Sequence, residues 1–194
     1  MTVRAGFADP VFDSQRVFRG VLDAVAEPGR VITLAAAPAA PSPLHPAAVA
    51  IALALFDFET PVWLDAAAGT PETVAHLRFH CGCPIVDDPA RARFAIIADP
   101  AAMPEIGAFD AGSDEYPDRS ATLIVQAGTL GAGRGLRLSG PGIATEMRLE
   151  VGGVSARFWE ALRGNHARFP RGVDVLLTAG ASLAGLPRTT WVEG

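Results

Sequence analysis

Residues 131–146, GAGRGLRLSGPGIATE, hold the densest set of groups that could do chemistry in this 194-residue chain. Glycines let backbone N–H groups approach an anion, and Arg134 and Arg137 add charge, so the stretch has the look of a phosphate cradle. A dinucleotide fingerprint, however, needs G-x-G-x-x-G between a strand and a helix. Gly131, Gly133 and Gly135 have the wrong spacing, and Leu136 and Leu138 continue a strand pattern where a helix should open. The first half therefore reads as a hairpin turn in which glycine supplies positive φ. The second half lies at a strand end, where open α/β sheets place ligands. Ser139, Gly140 and Gly142 are accordingly candidate anion contacts.

Four other groups invite a chemical reading. Pro187-Arg188-Thr189-Thr190 sets a guanidinium and two hydroxyls beside a strand start, and these donors suit a phosphate or phosphonate oxygen. Arg78 and His80 end a helix, where cations complement the C-terminal dipole or could meet an anion. Cys81 and Cys83 are one residue apart, too tight for an ordinary disulfide. His76 and His80 do not complete a zinc set with them, so the two cysteines read as small buried thiols and no metal is expected. Residues 180–185, GASLAG, are one residue too long for a nucleophile elbow and read as a turn.

Composition narrows the chemistry further. Lys plus Arg total 16, and every one is arginine. Without lysine there is no Schiff base to pyridoxal phosphate or a carbonyl substrate, and no P-loop lysine. Any anion must be held by arginine, hydroxyl or backbone N–H groups, and no cofactor is expected. A net charge of −5 argues against a nucleic-acid footprint. With 49% hydrophobic residues the chain has a globular composition. No signal-peptide pattern opens it, and its longest apolar run, residues 47–56, is too short to span a bilayer. The expectation is a cytoplasmic protein, residues 1–194 forming one domain, with no membrane association.

The elements that must carry these groups follow from periodicity and punctuation. Asp13 or Ser14 can cap a first helix, with Val17, Phe18, Val21, Leu22 and Val25 on its apolar face. Glu27-Pro28-Gly29 stops it. Residues 30–34 read as a strand, 47–56 as a buried helix, 61–64 as a short strand, and 71–79 as a helix capped by Thr70. The unbroken apolar run 94–98 has the signature of a strand covered on both faces. Residues 121–126, 135–138, 173–178 and 189–192 read as further strands, and Val154, Phe158, Ala161 and Leu162 mark a last helix. This predicts an α/β fold with a mixed sheet in one three-layer α/β/α domain.

Taken in order, several of these segments resemble the PhnH family, subunits of the bacterial carbon–phosphorus lyase machinery. The segments are Ala26-Glu27-Pro28-Gly29, Thr60-Pro61-Val62-Trp63-Leu64, Leu77-Arg78-Phe79-His80 and Ala121-Thr122-Leu123-Ile124. They continue with Leu138-Ser139-Gly140-Pro141-Gly142-Ile143, Phe169-Pro170-Arg171-Gly172-Val173-Asp174 and Leu186-Pro187-Arg188-Thr189-Thr190. The resemblance implies a fold like that of pyridoxal-phosphate-dependent transferases, without the cofactor. It implies a homodimer joined to PhnG, PhnI and PhnJ subunits. It also implies an accessory role in making ribose 1-alkylphosphonate 5-triphosphate from ATP and an alkylphosphonate, with release of adenine. Cleavage of the carbon–phosphorus bond is implied to belong to the iron–sulfur PhnJ subunit, and this chain lacks the three clustered cysteines such a centre needs. A phosphonate or nucleotide ligand would meet Arg78, His80, Ser139, Gly140, Gly142, Arg188, Thr189 or Thr190. The rival readings are a scaffold subunit with no ligand site and an independent enzyme on a small phosphorylated substrate. No nucleophile, base and orienter assemble from the sequence.

Overall fold

Helices begin where the sequence offers a cap and a proline-compatible first turn. In the computed structural model, which describes residues 3–193, α1 (Pro10–Ala26) is capped by Asp9, whose carboxylate accepts from the Phe12 N–H. The cap lies upstream of the expected Asp13, whose carboxylate instead accepts from the Asp9 N–H at 3.0 Å. Strand β1 (Ile32–Thr33) and helix α2 (Pro46–Leu55) follow, then β2 (Val62–Leu64) and α3 (Pro71–Cys81). Thr70 caps α3 as expected, and Gly82, at φ 67°, ends it in the left-handed conformation. Beyond it come β3 (Ile85–Val86), β4 (Phe94–Ile97), β5 (Thr122–Gln126), β6 (Thr129–Ser139) and β7 (Met147–Gly152). The chain closes with α4 (Ala156–His166), β8 (Asp174–Ala179), β9 (Ser182–Leu186) and β10 (Trp191–Glu193).

Seven strands form one sheet in the order β1-β9-β8-β5-β4-β2-β3. The pairs β8–β5, β5–β4, β4–β2 and β2–β3 are parallel, while β9 runs antiparallel to both β8 and β1. The mixed α/β class is therefore realised. Side chains alternate between two cores, as a strand period of two requires. Ile96, Ile124, Leu176 and Leu183 face α1, α2 and α3, while Ile97, Leu123, Val125, Val175 and Leu177 face the other side. On that other side the covering is not a second helical layer. One helix, α4, shares the face with a separate antiparallel sheet of order β10-β6-β7, through Phe158, Leu162, Leu138, Leu149 and Val192.

Three local readings change. Residues 131–135 do not turn the chain back between strands. They lie inside β6, where pairing with β7 slips between Ala132 and Leu136, and Gly133 and Gly135, at φ 89° and 87°, form the irregularity. The reversal comes later, between Ser139 and Met147. The GASLAG segment turns only at Gly180 and then becomes β9, because Leu183 and Leu186 find places in the two cores. On α1, Val17, Val21 and Ala24 are buried, but Phe18, Leu22 and Val25 are 45%, 51% and 40% exposed. The expected single apolar face is two faces, and only one is covered.

Candidate functional site

The carboxyl ends of the parallel strands are where an open α/β sheet receives ligands, most of all beside the strand at which the order reverses. Here that strand is β2, flanked by β3 and β4. Asp65, 5% exposed just past β2, spends its two carboxylate oxygens on the N–H groups of Ala68 (2.7 Å) and Asp99 (2.8 Å). Further along the same edge, Gln126 at the end of β5 is buried. Its side-chain oxygen accepts from the His45 N–H and its amide donates to the Pro43 carbonyl at 3.1 Å. The His45 ring donates from Nδ1 to the Thr178 carbonyl, also at 3.1 Å, which fixes the tautomer because a carbonyl only accepts. Ala47 N–H closes on Gly180. Residues 43–47 thus bond across the ends of β5 and β8 and cover that part of the edge with the chain itself. Sequence reasoning missed this set because its partners, His45 and Gln126, are 81 residues apart.

The predicted contact residues sit elsewhere. Arg188 lies at the opposite, amino end of the parallel strands, against Asp174, the first residue of β8. Its Nε and one Nη reach the Asp174 carboxylate at 3.2 and 2.6 Å, and the same Nη reaches Ser120 Oγ at 2.7 Å. The other Nη donates to the carbonyls of Pro117 and Pro170. Those are five donations from a group that has five N–H bonds. Only 13% of the side chain is exposed. Arg188, expected as an anion contact, thus directs these donors into tying together the loops before β5 and β8, beside an open recess that it lines with Pro117, Phe169, Pro170 and Thr189. Its carbonyl accepts from His166 Nδ1 at 3.1 Å, which links α4 to the same hub.

Ser139, Gly140 and Gly142 stand at the far end of β6. Ser139 pairs with Trp191 at the end of β6, in the three-stranded sheet, so this strand end is not one of the parallel ends. A Cβ on Gly140 would lie 2.7 Å from the Thr189 carbonyl oxygen, and one on Gly142 would lie 2.2 Å from that of Ala26. These glycines permit backbone to pack on backbone, the other reason for glycine in such a loop. Thr190 is 4% exposed, with no hydrogen-bond partner for its Oγ1, so it is sealed from an approaching anion, and Thr189 supplies the carbonyl against Gly140. The motifs at 26–29, 138–143, 169–174 and 186–190 thereby converge: Gly29 N–H donates to Gly185 at 3.0 Å, and Asn165 clasps both backbone groups of Val173 at 2.9 Å.

Arg78 and His80 belong to another cluster, at the end of α3. His80 Nε2 donates to the Arg4 carbonyl at 2.9 Å, its ring stands 4.5 Å from that of His76, and Arg78 is exposed. Cys81 and Cys83 flank the left-handed Gly82; hydrogen bonding to Cys83 and burial push the Cys81 thiol up, while the same hydrogen bond holds Cys83 down. Among the described residues no group of three or more His, Cys, Asp or Glu is placed to hold a metal ion. Nor is any helix there long and apolar enough to cross a membrane.

His76 gives this cluster a pH signature. It is 1% exposed, neither ring nitrogen has a hydrogen-bond partner, and its pKa falls from 6.5 to about 4 through burial first, then the charges of His80 and Arg4. The unfolded chain binds the proton more readily, so the stability of the neutral form is complete above pH 6.5 and is lost as pH falls toward 4. We expect wild type to lose up to about 3 kcal/mol more than His76→Leu between pH 7 and pH 4, measured by urea unfolding. Parallel losses in the two proteins would refute a neutral buried imidazole.

The fold and its hub define a mixed α/β protein whose distinctive loops bind to one another and whose own residues 43–47 cover the ends of β5 and β8. The comparisons say which one. Residues 5–193 match the family described as bacterial phosphonate metabolism protein (PhnH), and the chain belongs to that family. It is 42% identical over 187 residues to the alpha-D-ribose 1-methylphosphonate 5-triphosphate synthase subunit PhnH of Rhizobium meliloti (strain 1021), covering 96% of this chain and 94% of that one. Over 82 residues, 42% of each chain, it is 42% identical to HtxG of Stutzerimonas stutzeri, a candidate C-P lyase subunit protein by name.

Proposed function

We propose that this chain is an accessory subunit of a carbon–phosphorus lyase core complex in phosphonate catabolism. It would support the formation of ribose 1-alkylphosphonate 5-triphosphate from ATP and an alkylphosphonate without performing the transfer. Similarity along nearly the full length, at 42% identity, to a protein named as a subunit of that synthase supports the assignment. The observation that carries the non-catalytic part is the saturation of Arg188: the best anion-binding side chain of the family motifs has all its donors engaged internally. The partners in this reading are a second copy of the chain and the PhnG, PhnI and PhnJ subunits, in the cytoplasm. The overall plan would resemble that of pyridoxal-phosphate-dependent transferases without the cofactor, and the absence of lysine from the chain agrees with that reading.

The same saturation favours the stricter version, a scaffold with no ligand site, over an independent enzyme on a small phosphorylated substrate. The test is affinity purification of the tagged chain from its phosphate-starved host, with calorimetric titration of methylphosphonate and ATP into the isolated chain. Recovery of the other subunits is expected, with no heat of binding to the chain alone. Recovery of the chain without phosphonate-pathway partners would overturn the assignment, and saturable binding of either ligand would overturn the scaffold version.

A further inference from the structure

The three-stranded sheet is left open along β7. Its order is β10-β6-β7, so β7 has β6 on one side and, among the described residues, no strand on the other. A strand turns the N–H and C=O groups of alternate residues to opposite sides, so half of those on β7 pair with β6 and half face outward. Apart from Gly152, whose carbonyl accepts from the Gly128 N–H, no described residue of β7 has a backbone hydrogen bond beyond its pairing with β6. Two usual defences of a free edge, shortness and proline, are absent from its six residues, and none of them has positive φ. The free side of β6 is a poorer template. There β10 takes Arg137 to Ser139, and the run before them is broken by the positive φ of Gly133 and Gly135.

We propose that β7 receives an extended segment of another protein chain as a fourth strand of this sheet, with an arginine or lysine of that segment set against Glu150. The inference rests on the reading above, in which the chain works inside an assembly, and it assigns that assembly a point of attachment. An open row of backbone donors and acceptors is matched by an extended chain, which repeats the same groups at the same spacing. About six residues, spanning roughly 20 Å, suffice. The side chains supply the choice of partner. Arg148 and Glu150 are exposed, while Leu149 is buried and Met147 and Val151 are half-buried. Arg148 already lies 3.5 Å from Glu146, which also reaches Arg137 at 3.7 Å. Glu150 has no cation beside it among the described residues, so a basic residue opposite gains a cross-strand ion pair and an acidic one is repelled. The net charge of −5 favours a basic partner on approach as well.

The test is residue-resolved hydrogen–deuterium exchange on the full chain, alone and in the assembly that the tagged chain recovers from its phosphate-starved host. In the isolated chain, alternate amides of residues 147–152 should exchange as fast as in an unfolded peptide, and those paired with β6 should be slow. In the assembly the fast set should slow at least about 30-fold, an alternation that strand pairing produces and side-chain docking does not. Glu150→Arg should weaken binding of the recovered chains about tenfold and leave the melting temperature of the isolated chain unchanged. An assembly that leaves the fast set unchanged would overturn strand addition while the subunit assignment stands. Recovery of the chain alone would overturn both. Slow exchange of the whole strand in the isolated chain would give the edge to a second copy and overturn the addition of another protein. Protection that survives Glu150→Arg at full affinity would overturn the basic residue assigned to the segment.

Discussion

Replacing Arg188 with alanine should lower the stability of the isolated chain by about 3 kcal/mol, the low end of the cost of breaking a buried ion pair, since Asp174 keeps 30% of its side chain in water. At roughly 2–4 °C per kcal/mol for a chain of this size, thermal unfolding should begin to fail some 6–12 °C earlier. The loss has two parts. Asp174 is left with a charge and no counter-charge, and the carbonyls of Pro117 and Pro170 lose their common donor. Arg188→Lys should recover little, because an ammonium has three donors and no planar fork to span carboxylate, hydroxyl and two carbonyls together. An anion-binding arginine would behave in the opposite way, with an unchanged melting temperature and a lost ligand. Differential scanning calorimetry of the two variants separates the cases, and an unchanged transition in Arg188→Ala would restore the ligand reading.

Gly142→Ala should cost about 3 kcal/mol, whereas Gly133→Ala should cost only about 1 kcal/mol. Both glycines have similar positive φ, 85° and 89°, so the strain of placing an L-residue there is common to the two. Their surroundings differ. The added methyl at 142 meets the Ala26 carbonyl oxygen at 2.2 Å and Pro28 Cδ at 2.8 Å, while the one at 133 meets nothing within 4 Å. A backbone carbonyl cannot rotate away as a side chain can, so the whole approach of the 26–29 loop must open. Equal melting temperatures for the two variants would show that the close approach is not maintained in solution. A glycine kept for an anion would give the same small stability loss at both positions.

Much of the fold is readable in local sequence, because the signals are local. Thr70 and Pro71 announce α3, and the unbroken apolar run at 94–98 announces the covered strand Phe94–Ile97. Segments whose structure depends on distant partners are not readable this way. Strand β7 alternates Leu149 with Arg148 and Glu150, too weakly to declare itself without β6 beside it. Strand β9 hides behind small residues that a turn would also use. The candidate site suffered most. Arg188 meets Pro117, which is 71 residues away, and nothing near position 188 reveals that its donors are taken. Residue type shows which side chains could do chemistry; whether their hydrogen-bonding capacity is free is set by the folded chain. The stripe on α1 shows the converse: periodicity found its apolar residues, but could not tell a buried face from an uncovered one.

The seven-stranded sheet has one further property that bears on assembly. Both of its outermost strands, β1 and β3, contain only two residues. A strand that short offers too few unpaired backbone groups to template the addition of a strand from another chain. The large sheet is thus protected from growing sideways, into a partner or into an aggregate. Recognition through the large sheet must then be written in side chains, where single substitutions can rewrite it.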